Sequence, residues 1–153
     1  AFYYHFSDIR DLTVWVFKRE VADQIIAHAT YDDWSDGLLA MFVWMQNHPE
    51  ETRSVLSSIG MEDLQIFLHK QLRAVMEPIV DQHSIDLQVT EDDRVFVTDH
   101  FTLAILGHIS QWLATGMSTD PYILTERIAR VLDGQVRRSL ELFASSPHPP
   151  ARA

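Results

Sequence analysis

Residues 61–83, MEDLQIFLHKQLRAVMEPIVDQH, carry apolar side chains at Leu64, Phe67, Leu68, Leu72, Val75, Met76, Ile79 and Val80. The successive spacings of 3, 1, 4, 3, 1, 3 and 1 place them on one side of a helix. Pro78 has no N–H and frees the carbonyl of Ala74, so a bend or an early end is expected there. The helical pattern extends in both directions. Residues 8–29 contain no Pro or Gly, and Leu12, Trp15, Val16, Val21, Ile25 and Ile26 form a broad apolar face rather than a strand pattern. Ser7 is the candidate N-cap, and Asp8 and Asp11 sit where the helix dipole favours acids. Residues 34–47 read as a second helix bearing Leu38, Met41, Phe42, Trp44 and Met45. It stops at Pro49, because a residue before proline avoids the α region. A short helix from 50 to about 58 closes on Gly60, read as a left-handed cap.

Beyond residue 83 the sequence reads as a loop, 84–89, holding the one weak strand candidate, 87–89. Thr90-Glu91-Asp92-Asp93 resembles a capping box with Asp in place of Glu. It opens a helix over 91–115 that Gly116 stops. Thr119-Asp120-Pro121 supplies a cap followed by proline at the first helical position. The last helix should run to about Phe143, striped by Ile128, Val131, Leu132, Val136, Leu140 and Phe143. The tail SSPHPPARA, 145–153, reads as disordered. There is no internal repeat. The expected class is all-α, a bundle of about six helices.

Composition narrows the function. A chain of 153 residues is of one-domain length and can bury a core without disulfides or metals. It is 46% hydrophobic and 22% charged, with 5 Gly and 6 Pro, which excludes collagen and disordered low-complexity chains. Cysteine is absent, so disulfides, iron–sulfur clusters, Cys-zinc sites and thiol nucleophiles are excluded. Twelve basic against 22 acidic residues give −10, which argues against a phosphate backbone as partner for most of this surface. No apolar run approaches 18 residues, so no membrane contact is expected, and no signal peptide is visible. A cytoplasmic location is the expectation. The chain opens on Ala1, and the true N-terminus is expected upstream.

The most specific motif stands at the start: Phe2-Tyr3-Tyr4-His5-Phe6-Ser7-Asp8-Ile9-Arg10-Asp11-Leu12. It resembles the junction between the recognition helix and the first ligand-domain helix of TetR-type transcriptional regulators. In that family an aromatic–Tyr–x–His–Phe run closes the helix-turn-helix and a Leu follows, here Leu12. Ile9 stands where the family usually has Lys, with Arg10 next to it, which removes one phosphate contact. The segment 95–113, followed by Ala-Thr-Gly-Met, resembles the penultimate helix of a TetR subgroup with a Trp–x–x–x–Gly turn, here Trp112 and Gly116. The resemblance is sharp over the first dozen residues, moderate from 95 to 143, and only helical between.

This resemblance implies residues 1–6 as the remnant of the helix-turn-helix, 7–144 as a ligand-binding and dimerisation domain, and 145–153 as a tail. Tyr3, Tyr4 and His5 can hydrogen-bond phosphate oxygens and so position a recognition helix. The rest of that helix-turn-helix is expected outside this sequence, so operator DNA is a partner of the full-length protein. The alternative for Phe2 to Phe6 is an aromatic cluster in a helical core. The acidic balance is compatible with DNA binding if the head carries the bases: residues 1–31 hold three bases and four acids, the remainder nine and 18.

The resemblance also implies a small-molecule effector, whose identity the sequence leaves open. Possible wall residues are Trp15, Met41, Trp44, Met45, Phe67, Leu72, His100, Phe101 and Trp112, each of which also reads as ordinary core. A homodimer is implied as well. Leu103, Gly107, Ser110 and Ala114 step by 4, 3 and 4 along one helix face, and their small side chains allow a second helix to come close. Gly134 costs about 1 kcal/mol relative to Ala inside a helix, which suggests close packing there. The resemblance places the interface on the last two helices as a four-helix bundle across a two-fold axis, and adds Val131 and Arg138. The alternative is that both glycines serve packing within one subunit.

Enzyme signatures are missing: there is no Gly-x-Ser-x-Gly elbow, Walker loop or dinucleotide fingerprint. Eight histidines (His5, His28, His48, His69, His83, His100, His108 and His148) contain no i, i+4 pair and no HExxH, so no metal or cofactor is expected. The runner-up function is an all-helical interaction or small-ligand carrier protein with no DNA role. A metal-dependent helical enzyme using His100 and carboxylates is a third.

Overall fold

The computed structural model describes residues 8–28 and 32–145. Its elements are α1 (Ile9–Ile26), α2 (Trp34–Asn47), α3 (Pro49–Ser84), α4 (Glu91–Ala114), α5 (Pro121–Leu132) and α6 (Gln135–Ser145). Among the described residues there is no strand. The all-α expectation therefore holds. The weak candidate at 87–89 is loop: the Leu87 N–H donates to the Ser84 carbonyl (3.0 Å), and Leu87 and Val89 pack on the core from outside the helices. Residues 1–6, the candidate cap Ser7 and the tail beyond Ser145 lie outside the described residues.

The caps follow side-chain chemistry. The N-cap of α1 is Asp8 and not the expected Ser7, which leaves Asp11 as the acid of the first turn: the Asp8 carboxylate accepts from the Asp11 N–H at 3.0 Å. Thr90 caps α4 by accepting from the Asp93 N–H at 3.1 Å, as its capping-box position predicts. Asp120 accepts from the N–H groups of Tyr122 (2.9 Å) and Ile123 (3.2 Å), with Pro121 in the first turn of α5. The C-terminus of α4 is a Schellman turn. The Met117 N–H reaches the Trp112 carbonyl (2.8 Å) and the Gly116 N–H reaches that of Leu113 (3.1 Å), with Gly116 at φ +74°. The Trp–x–x–x–Gly pattern is this turn, and the half-buried Met117 packs on the core beyond it.

The expected break at Gly60 is present: α3 is two helical stretches meeting at Gly60, whose φ of +82° and ψ of 165° are all but reserved for glycine and lie outside helical geometry. Two boundaries differ from expectation. Pro78 does not end α3, which continues in helical geometry to Ser84. Its flanks Val75, Met76, Ile79 and Val80 are buried, whereas Pro78 and Ala74 face outward, where water can satisfy the freed carbonyl. The last helix is two helices, α5 and α6, joined at Gly134 (φ +71°). An added Cβ on Gly134 would meet nothing within 4 Å in its own protomer, so within the protomer the glycine serves the turn and not a close approach.

Helix α3 is the centre of the bundle, packed by α1, α2, α4 and α6, while α5 rests mainly on α2. Phe17, Val21, Met41, Phe42, Met45, Leu64, Leu68, Val80, Ile109 and Leu140 are among its fully enclosed side chains. Trp112 closes one end. Its ring meets Phe42 edge-on at 4.8 Å, and its Nε1–H donates to the Thr119 carbonyl at 2.8 Å, tying α4 to the start of α5.

Candidate ligand grooves and pairing face

Two grooves open on the bundle. The first, about 390 Å³, lies where the start of α2 meets α3, α5 and the start of α6. Its walls are Trp34, Met76, Ile79, Ala129, Leu132 and Val136, and its rim is Asp32, Ser35, Glu126, Arg130 and Asp133. Beneath it is an apolar void of about 20 Å³ lined by Ile25, Leu38, Leu72, Val75 and Ile105, which shares Trp34, Met76 and Ile79 with the groove above. The second groove, about 470 Å³, runs between α1 and the α2–α3 corner, lined by Leu12, Thr13, Val16, Phe17, Glu20, Trp44, His48 and Glu51. There Trp44 stacks on His48 at 4.2 Å, and the His48 Nδ1 lies 2.7 Å from the Trp44 carbonyl.

The outer side of α4 is a third feature. Phe96 (61% exposed), His100, Leu103 (56% exposed), Gly107 and Ala114 all face outward. A Cβ added to Gly107 would meet no atom within 4 Å, so nothing in its own protomer requires a glycine there. Ser110, half-buried on the same helix, is turned inward: it receives the Gln65 Nε2–H at 3.1 Å and donates to the Leu106 carbonyl. Helix α6 lies alongside, with Phe143 meeting Phe96 edge-on at 6.2 Å and Leu142 exposed.

Ion pairs set this arrangement. Arg73 on α3 bonds Asp99 on α4 and Glu77 on its own helix, both at 2.9 Å, and the Asp99 contact holds its pKa above the ordinary arginine value. Arg137 on α6 clasps Asp86 with both terminal nitrogens and also donates to the His83 carbonyl at 2.8 Å and to Glu141 at 3.0 Å. The guanidinium in turn holds the Asp86 carboxyl below its usual range. Both clasps fix α4 and α6 against α3.

The nine residues read as possible pocket walls do not line one cavity. Met41, Met45, Leu72, Phe101 and Trp112 are buried in the core. Trp44 lines the α1 groove, meeting Phe17 edge-on at 5.6 Å, and Leu72 lines the small void. Phe67 is half-buried with the Lys18 ammonium 5.4 Å above its ring, Trp15 is exposed beneath Arg19, and His100 lies on the outer α4 face beside Phe96. Of the groove residues, the sequence gives Met76, Ile79 and Val136 only as helix faces and Trp34 only as the start of a helix, because which of several apolar faces stays uncovered depends on where α5 settles. Of the residues expected at a dimer interface, Leu103, Gly107 and Ala114 share the outer α4 face and Gly134 sits in the turn between α5 and α6. Val131 (70% exposed) is on α5, which packs on α2, and Arg138 is on α6, 4.0 Å from Glu141. Tyr3, Tyr4 and His5 lie outside the described residues. Among the described residues no group of three His, Asp or Glu could hold a metal ion, and no helix is long and apolar enough to cross a membrane.

A family model described as "Transcriptional regulator C-terminal region", of the TetR type, matches residues 32–134. No curated protein matches the chain. The match covers α2 to α5, the whole first groove apart from Val136, and the outer face of α4. The chain belongs to the TetR-type transcriptional regulators, whose C-terminal region it carries.

Proposed function

We propose that this chain is the sensing and pairing body of a ligand-responsive transcriptional regulator, which pairs with a second copy through α4 and α6 and reads operator DNA through a helix-turn-helix on the N-terminal side of α1. The observation that carries the reading is the outer face of α4. It presents apolar and small side chains to solvent over about five turns, and Gly107 keeps it open for a neighbouring helix. Two such α4–α6 layers across a two-fold axis bury Phe96, Leu103 and Leu142 of each copy. Tyr3, Tyr4 and His5 are assigned to phosphate contacts, from their motif and the family membership together.

The mechanism is a shift between two dimer states. An effector that prefers one state moves the population towards it by no more than that preference. Helix α1 connects the two ends of the device: Ile25 lines the small void, and Asp8 caps the end nearest the aromatic motif. A tilt of α1 changes the separation of two DNA-reading units in a dimer. Light scattering tests the pairing. The native chain is expected at dimer mass and Gly107→Phe at monomer mass, with helical content unchanged by circular dichroism. A Gly107→Phe dimer as tight as the native one would remove α4 from the interface.

A further inference from the structure

We propose that the groove between α2 and α5 is the seat of a lipophilic organic cation, an apolar or aromatic body carrying a quaternary or protonated amine. The proposal rests on the ligand-responsive reading above and names the chemistry of its ligand. At about 390 Å³ the groove falls within the range of small-molecule sites. Trp34, Met76, Ile79, Leu132 and Val136 provide an apolar bed for the body of the ligand.

The rim decides the charge. It carries Asp32, Glu126 and Asp133 against one cation, Arg130. The Arg130 guanidinium is already engaged by Glu126 at 2.8 Å, so that pair is close to neutral. Asp32 and Asp133 have no ion-pair partner among the described residues, and they remain as two uncompensated negative charges. Asp133 is also the C-cap of α5, and the partial negative charge of that helix end falls on the same rim. The N-terminus of α2 opens here too, and its opposite partial charge is answered by Asp33 at its cap and Asp36 in its first turn. An anion entering this groove meets repulsion, and a neutral body leaves two carboxylates partly desolvated without a counter-charge. A cation meets both carboxylates, and the Trp34 indole adds a π face.

The floor gives the site depth. Trp34, Met76 and Ile79 separate the groove from the void of about 20 Å³ below. Met76 is flexible, so a rotamer change there merges the two spaces and brings the ligand against Ile25 of α1.

Calorimetric titration of the full chain with benzyltrimethylammonium, its neutral carbon isostere neopentylbenzene, and benzenesulfonate tests the assignment. The cation is expected to bind about tenfold tighter than the neutral isostere, and the sulfonate not to bind. Asp32→Asn with Asp133→Asn should weaken the cation about tenfold and leave the neutral compound unchanged. Both side chains are exposed, so thermal melts should match the native chain. Trp34→Leu provides a second variant that weakens the cation with the carboxylates intact. Equal binding of the cation and neopentylbenzene, unchanged cation affinity in the double Asn variant, or no cation binding at all would overturn the proposal. Light scattering on the same samples reads the dimer independently, so the cation assignment can fail while the pairing reading stands.

Discussion

Thr125 and its fellow threonines show how one hydroxyl can help or harm a helix bundle. Thr52, Thr98 and Thr102 are buried and return their hydroxyl to the carbonyl four residues back at 2.7–2.8 Å. Thr125 is 6% exposed and its Oγ1 has no hydrogen-bond partner among the described residues. Thr125→Val keeps the shape and removes the unsatisfied group, so a stabilisation of about 1 kcal/mol is expected by urea denaturation. Phe42→Ala removes a fully buried ring beside Trp112 and should cost about 3–5 kcal/mol. Asp86 gives a pH signature. Its folded pKa is depressed by Arg137, so its contribution is complete above the ordinary carboxylate range and is lost as pH falls through the depressed value. Arg137→Met should therefore lower Tm at neutral pH by a margin that narrows as pH falls through the depressed value, leaving the part owed to the His83 carbonyl bond. A constant gap between the two melting curves across that window would show that the clasp is not what Arg137 contributes. The caps of α4 and α5 and the buried stripe of α3 were legible in the sequence because they depend on neighbours within a turn or two, whereas α1 is capped by Asp8 in place of Ser7, buries the unread Phe17 and leaves Trp15, Val16 and Ile26 exposed, because its neighbours α2 and α3 decide which face is covered. The Arg137–Asp86 clasp was not, because its partners lie 51 residues apart.

Helix boundaries were legible where a side chain caps them and obscure where a dihedral decides. Asp120-Pro121 and Thr90 announce their helices through donors and acceptors read directly from the sequence. Gly134 does not, because the apolar stripe from Ile128 through Leu140 keeps its spacing across the break. Its φ of +71° is what turns α6 back against α3 and α4. Gly134→Ala should cost about 1–2 kcal/mol through backbone conformation alone, since no atom crowds the new Cβ. Pro78→Ala should act in the opposite direction. The site already has helical geometry, so restoring an N–H to α3 is expected to raise stability by about 1–3 kcal/mol. A neutral result would mean that α3 bends at Pro78 in solution and relaxes around it.

For the molecule as a whole, the fold class could be argued from periodicity, and so could the exposed face of α4 that is proposed for pairing, since residues stepping along one face of a helix remain a face wherever it packs. The grooves could not. A groove is space left between elements, and its position follows from α5 leaning on α2, which no local pattern encodes. A body with a net charge of −10 offers DNA little to hold, so residues 1–153 are expected to give no sequence-specific shift of operator DNA in a low-salt mobility assay. The bond from the Trp112 indole to the Thr119 carbonyl has one more consequence. It staples α4, the face proposed for pairing, to the helix that walls the first groove. In the proposed dimer, sliding of the twin along α4 would be handed to the groove as a change in width. By reciprocity, a molecule wedged into the groove would then loosen or tighten the twin's grip by the same factor that the twin alters its own hold.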